Sequence, residues 1–286
     1  MRNMERTFFQ DPAIRVGEVA LKVQDLEKSK TFYTSILGLK VIEEDKTRVV
    51  LSSDGITPLV RIEQPELIEP KDRREAGLYH FAILLPNRKD LATFIYHLSE
   101  NGIRLGAADH LVSEALYFDD PDGNGIEVYH DRPTHQWKRE DQQIVMTVEP
   151  LDGDSILSEL NGEKWKGMPE ETVIGHIHLH VRDLQAAKDF YCKGLGFQTT
   201  FDQLDKALFI STAGYHHHIG LNTWKGEKAE SPSTNRVGLQ HYSLIFPGLE
   251  ARQEAIYRLE SLGYRVNEDR MLIHDPTGNV IKLDVK

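Results

Sequence analysis

A single cysteine, Cys192, stands among 286 residues, which excludes a disulfide framework within one chain and argues against a thiolate metal cage. No apolar run approaches the roughly 18 residues of a membrane span. The opening "MRNMERTFFQDPAIR" has no apolar centre of the kind a secretion signal needs. The expectation is therefore a cytoplasmic protein with no membrane partner. Basic residues are also in deficit: 34 Lys and Arg against 45 Asp and Glu leave a net charge of −11. A nucleic-acid binder would normally carry a basic face, so that class is set aside. Hydrophobic content of 40% and charged content of 28% are ordinary for a globular protein, and the length admits two domains. A protein that handles a small molecule fits these bounds.

What the chain does have is repetition. "VGEVALKVQDLEKSKTFYTSILGLKV", from Val16, and "IGHIHLHVRDLQAAKDFYCKGLGFQT", from Ile174, share one layout. Each has an alternating strand, an Asp-Leu pair, a helix carrying Phe-Tyr, and a terminating glycine. Asp25 and Asp183 read as N-caps, and Gly38 and Gly196 as the left-handed residues after the helices. Two looser copies begin "GLYHFAILLP" at Gly77 and "GLQHYSLIFP" at Gly238. Each leads into a helical stripe: Leu91, Phe94, Ile95 and Leu98 in one, Ile256, Leu259 and Leu262 in the other. Both end in a hairpin, around "DPDGN" and "DPTGN". Four units of strand, helix and about three strands thus start near residues 14, 77, 173 and 238. A helix can cover one face of such a sheet. The other face is free to line a cup.

Strand alternation assigns side chains to that cup. In the first strands, Val19, Leu21 and Val23, and equally Ile177, Leu179 and Val181, belong under the helix. Glu18, Ala20 and Lys22, His176, His178 and His180, His80, and His241 then face inward. In the second hairpin Glu127 and Tyr129 share this face; the matching place in the fourth unit is Lys282. In "AGYHHHIGLN" the same phase, carried back from Gly220, turns His218 inward, sets His216 nearer the turn and points His217 away. One inward histidine on a strand more often packs than ligates. Three at one repeating position, with a carboxylate at a second, make a donor set suited to Fe(II), Mn(II) or Zn(II).

On "GHIHLHVRDL", "YHHHIGLN" and "SEALYFDDPDGNGIEVY" the chain resembles the vicinal oxygen chelate superfamily over nearly its whole length. Within it the chain looks most like the two-domain extradiol ring-cleavage dioxygenases of catechol 2,3-dioxygenase type. The resemblance implies an α+β fold of four βαβββ modules forming two half-barrel cups. It divides the chain into an N-terminal domain at 1–140, a linker at 141–172 and a C-terminal domain at 173–286. It implies Fe(II), a small catechol-like aromatic substrate and O2, and leaves room for a homo-oligomer. Carried over by position, His176 and His241 match metal ligands and His218 the acid/base residue, but Lys282 stands where the carboxylate is expected.

Three pairings follow. The second and third modules could face each other, giving His80, Glu127 and His176 with His218 beside them. The first and second could give Glu18, His80 and Glu127. The third and fourth could hold a degenerate site with His241. The first is preferred, because it gathers the most inward polar groups and leaves Lys282 needing no metal. His178 is then the reserve acid/base, and Tyr129, His110 and His216 are candidates for substrate contact. Trp224 could wall an aromatic pocket. An isomerase or lyase of the glyoxalase sort is the first rival function; a protein that sequesters a small molecule is the second.

Overall fold

The computed structural model describes residues 4–286 apart from 203 and 205, and of residues 4–6 the backbone alone. The four units are present. The first holds β1 (Arg15–Lys22), α1 (Leu26–Thr31), β2 (Lys40–Glu44), β3 (Arg48–Ser52) and β4 (Pro58–Glu63). The second holds β5 (Gly77–Leu84), α2 (Arg88–Glu100), β6 (Gly106–Asp109), β7 (Ser113–Asp119) and β8 (Gly125–Asp131). A bridge follows with a short ladder, β9 (Arg139–Glu140) and β10 (Gln143–Ile144), and one turn of helix, α3 (Gly153–Leu157). The third unit holds β11 (Val173–His180), α4 (Leu184–Lys188), β12 (Gln198–Phe201), β13 (Ala207–Ser211) and β14 (Ile219–Asn222). The fourth holds β15 (Gly238–Phe246), α5 (Leu249–Ser261), β16 (Leu272–His274) and β17 (Val280–Val285). Among the described residues no helix is long and apolar enough to cross a membrane.

The units pair across the chain. One sheet runs β12-β13-β14-β11-β5-β8-β7-β6, joining the third unit to the second. The other runs β16-β17-β15-β1-β4-β3-β2, joining the fourth to the first. Each sheet takes one unit from either half of the sequence. The seam of the first is the antiparallel pair β5–β11, with His80 opposite His178 and Ala82 opposite His176. The seam of the second is β1–β15, with Ala20 opposite His241.

Local chemistry fixes the helices as the sequence suggests. The Asp25 carboxylate accepts from Lys28 N, and that of Asp183 from Gln185 N and Ala186 N. Each satisfies orphan donors at a helix start. Gly38 and Gly196, at φ 74° and 94°, take the left-handed turn after Phe32–Ile36 and Asp189–Gly194, the wider π-type turns that continue α1 and α4. The tyrosines of these turns tie units together. Tyr33 Oη donates to Asp120 in the "DPDGN" turn at 2.9 Å, and Tyr191 Oη to Asp275 in the "DPTGN" turn at 3.0 Å. Both aspartates also accept from backbone N–H groups of their own turns.

One hydrophobic cluster lies between the two sheets and under the helices, and holds Leu21, Tyr33, Phe81, Phe94, Leu179, Phe190 and Leu259. It includes the stripe Leu91, Phe94 and Leu98; Ile256 and Leu259 join it from α5, while Leu262, at that helix end, is exposed. The apolar alternation of each first strand is thus spent on this core, and the opposite faces are left to form two cups.

Candidate metal centre

The site is a consequence of register. β11, β5 and β8 lie side by side, and His176, Ala82 and Glu127 occupy one row across them. Neighbouring strands stand about 4.8 Å apart, so the outer two members of the row are about 10 Å apart at the backbone. Ala82 between them contributes one methyl group. The longer side chains of His176 and Glu127 therefore lean together over it. His80, two residues earlier on β5, leans in from the next row, which reads Gly125, His80, His178 and Gly220. Glycine ends that row because the space is taken: a Cβ on Gly220 would meet the His178 ring at 2.9 Å, and one on Gly125 the Tyr79 carbonyl at 2.2 Å.

The ligand atoms of His80, Glu127 and His176 all lie within 4.8 Å of one another. His176 Nε2 is 3.1 Å and His80 Nε2 3.0 Å from the same carboxylate oxygen, Glu127 Oε2. All three side chains are almost fully buried. His80 Nε2, though close to the carboxylate, is not aligned for a hydrogen bond and has no other partner. Two buried imidazole nitrogens crowded on one carboxylate oxygen, one of them without an aligned hydrogen bond, make an arrangement that a divalent ion would satisfy. The electrostatics agree. Burial by itself would raise the Glu127 carboxyl, but His176 and His80 outweigh it and hold it well below the ordinary carboxylate range. Burial pulls His176 down despite Glu127, so it is a neutral donor near pH 7. The residues fit a two-His, one-carboxylate site that leaves coordination positions open. The chain thus carries a His/His/Glu cluster compatible with a divalent metal.

A cavity of about 370 Å³ opens above this cluster. His178 lines it, with Nε2 2.9 Å from the Asn222 amide, and burial followed by its histidine neighbours holds it well below its ordinary pKa. His110 lines it too, linked through Nε2 to Tyr117 Oη at 2.6 Å and through Nδ1 to the Thr147 carbonyl at 2.6 Å. Tyr117 sits directly across the β7–β8 ladder from Glu127. Its hydroxyl is pushed well above its ordinary pKa by burial and by the Glu127 charge. Trp224 walls one side.

The triple histidine is placed differently from the expected phase. His217, not His218, lines the cavity, with its ring 4.1 Å from that of His176. His218 turns away: its Nε2–H donates to the Phe8 carbonyl at 3.0 Å, its Nδ1 accepts from Thr212 N, and its ring meets Phe9 and Tyr215. Alternation fails because β14 begins only at Ile219. Ahead of it Ala213 and Gly214, at φ 56° and 79°, form a left-handed turn. The ladder also shifts, since Ile210 lies opposite Ile219 while its carbonyl accepts from His218 N. An irregular residue there reverses the phase, as a bulge does.

His216 is fully buried behind His217 rather than placed for substrate contact. Its Nε2 is 2.8 Å from Asp131 and its Nδ1 2.8 Å from His217 Nδ1. Tyr129 faces the expected side but is sealed in. Its hydroxyl donates to Tyr215, which donates to Asp131. It lies so close over Gly175 that a Cβ there would be 1.9 Å from the Tyr129 hydroxyl. Neither residue is at the cavity surface.

His241 does not join the triad. It lies on the other sheet, in a separate cup with Glu18, Arg61 and Lys282. There Arg61 pairs with Glu18 at 2.8 Å, and Lys282 with Asp284 at 3.0 Å. Of the three pairings open in the sequence, the second unit with the third is the one that forms. His217, Tyr117, Tyr79, Phe209 and the bridge residues Met146 and Val148 line the triad's cavity without having been singled out. Tyr117 could have been found by counting back from the "DPDGN" turn, which sets 117 against 127.

A family model described as Glyoxalase/Bleomycin resistance protein/Dioxygenase superfamily matches residues 15–128 and 173–283. A catechol-2,3-dioxygenase of Bacillus subtilis (strain 168) is 43% identical over 256 residues, 88% of this chain and 90% of that protein. A biphenyl-2,3-diol 1,2-dioxygenase 2 of Rhodococcus globerulus is 27% identical over 119 residues, 41% of this chain and 63% of that one. Glyoxalase I from Zea mays superposes with a TM-score of 0.58 at 16% identity, covering 94% of this chain and 92% of its own. At that identity the likeness is one of fold.

Proposed function

The chain belongs to the glyoxalase/bleomycin resistance protein/dioxygenase superfamily, and from that premise we propose that it is an Fe(II)-dependent extradiol dioxygenase that opens catechol-like rings with O2. His80, Glu127 and His176 would hold the ion. The observation that carries this reading is the convergence of the three ligand atoms, one without a hydrogen-bond partner, at the floor of an aromatic-walled cavity. When bound, the ion supplies Lewis acidity toward a phenol and redox chemistry with O2. The two-His, one-carboxylate donor set and the catechol-2,3-dioxygenase relative favour iron over Mn(II) or Zn(II).

The chain's own groups handle protons and orientation. Asp131 accepts from His216 Nε2 and from Tyr215 Oη. With the His216 Nε2–H donating to Asp131, the Nδ1 of that ring is left to accept from His217 Nδ1–H, 2.8 Å away. This fixes the His217 tautomer and leaves its Nε2 lone pair for a ligand in the cavity. Burial and the neighbouring His176 and His216 hold His217 well below its ordinary pKa, so it is neutral near pH 7. We assign it the acid/base role: it accepts a phenolic proton and returns it as the ring opens. The hydroxyl of Tyr117, linked to His110, and the ring of His178 border the space a catechol would fill and orient it. The balanced reaction breaks one ring C–C bond beside the hydroxyl pair and leaves both atoms of O2 in the product.

Anaerobic loading with Fe(II), followed by O2-electrode and absorbance assays with catechol, tests this. One O2 consumed per ring opened is expected. Full turnover of an isomerisation with Zn(II) or Ni(II), and no O2 uptake with iron, contradicts it.

A further inference from the structure

We propose that the cavity selects catechols whose ring substituent is uncharged and apolar, alkyl or aryl, and rejects those that carry a carboxylate. The inference rests on the reading above for the catechol, but its argument about the substituent is independent.

No Lys or Arg lines the cavity among the described residues; the one carboxylate that does is Glu127. Two lysines on neighbouring segments are directed to backbone carbonyls and do not line the cavity. Lys225 Nζ donates to the Glu75 carbonyl and Lys71 Nζ to the Gly123 carbonyl, each at 2.6 Å. The other cup is the contrast, since Arg48, Arg61, Arg270 and Lys282 line it. The same architecture thus presents cations to one cup and none to the other. A substituent carboxylate held against the walls and rim, away from the ion that the catechol oxygens would bind, would shed water with no Lys or Arg beside it. It would also approach a chain of net charge −11.

The walls favour the opposite chemistry. Met146, Phe201 and Phe209 face the interior. Tyr79, Val148, Leu204 and Trp224 rim it while remaining exposed, from 38% for Leu204 to 66% for Val148. Exposed apolar side chains gathered around one opening mark a binding surface. A ring seated over His80, Glu127 and His176 would direct a substituent toward this rim. Each methylene buried there is worth about fourfold in affinity.

The test compares 4-ethylcatechol with 3,4-dihydroxyphenylacetate, which are similar in size. Binding is measured calorimetrically on Zn(II)-loaded protein, and kcat/KM on Fe(II)-loaded protein. A preference of at least about tenfold for the ethyl compound in binding is expected, as is the same order in kcat/KM. Val148→Arg, at an exposed position, should narrow or reverse the gap while leaving the melting temperature unchanged. Equal or tighter binding of the acid to the wild type overturns the proposal, as does failure of both catechols to bind. Selective binding without ring opening upholds the selectivity and overturns the dioxygenase reading instead.

Discussion

His217 and His218 differ by one position in sequence, and that position decides which of them a ligand can meet. We predict that His217→Gln keeps the metal but lowers kcat by about 10²- to 10⁴-fold, the usual worth of a positioned acid/base group. His218→Ala should do the reverse. It removes the bond to the Phe8 carbonyl and the packing against Phe9 and Tyr215, so it should cost about 2–3 kcal/mol of stability and leave the turnover of folded protein nearly intact. Denaturant melts beside initial rates separate the two. Loss of turnover without loss of stability in His218→Ala would contradict the assignment. At this scale the sequence was legible wherever a strand was regular. Alternation alone turns His80, Glu127 and His176 inward. It does not do so for His217, because the left-handed pair Ala213 and Gly214 and the shifted ladder after it reverse a phase that counting from Gly220 cannot detect.

Between elements, the centre depends on a small residue at the middle of a three-strand row. Ala82→Leu puts a larger side chain between His176 and Glu127, and circular dichroism first checks that the variant folds. It should weaken metal binding by about 10- to 100-fold, the range seen when groups around a ligand are disturbed. A metal titration of the variant checks this, and unchanged affinity would show that His176 and Glu127 do not need to meet over position 82. Tyr33→Phe probes the tie between α1 and the "DPDGN" turn. It removes a buried bond to the Asp120 side chain and should cost about 1–3 kcal/mol in a denaturant melt. The four units, their caps and their turns were all legible, because each is written in local chemistry. The contribution of Met146 and Val148 was not. They lie in a polar bridge with no periodicity, and only the tertiary path of the chain brings them over the cavity.

Across the molecule, the two sheets have diverged from one pattern. One cup keeps imidazoles and a carboxylate that converge; the other holds Glu18–Arg61 and Lys282–Asp284 as closed ion pairs. Alternation places most inward residues correctly, His217 and His218 excepted, but by itself does not choose which units join, since all four begin with a similar strand; the preference for the second with the third comes from the count of inward polar groups. The choice lies in the long-range pairing of β5 with β11 and of β1 with β15.

Acid sensitivity also belongs to the whole fold. Burial lowers His218 to about 3, and burial, against a bond to Asn222, lowers His180 to about 4. Their folded values lie below the unfolded value of about 6.5, so the unfolded chain binds more protons between these limits and stability falls as pH falls. The slope is about 1.4 kcal/mol per pH unit for each such group between roughly pH 6 and pH 4. Thermal melts from pH 8 to pH 4 should show, in the metal-free protein, little change down to about pH 7 and a decline below about pH 6. A flat profile would mean these rings are not held neutral.

The most direct test of the central claim is metal stoichiometry by elemental analysis after anaerobic Fe(II) loading and desalting. The account predicts one iron per chain in the wild type and in His241→Ala, and none retained in His80→Ala, Glu127→Gln or His176→Ala. Iron lost with His241, or kept when His80 or Glu127 is replaced, would place the ion elsewhere and contradict it.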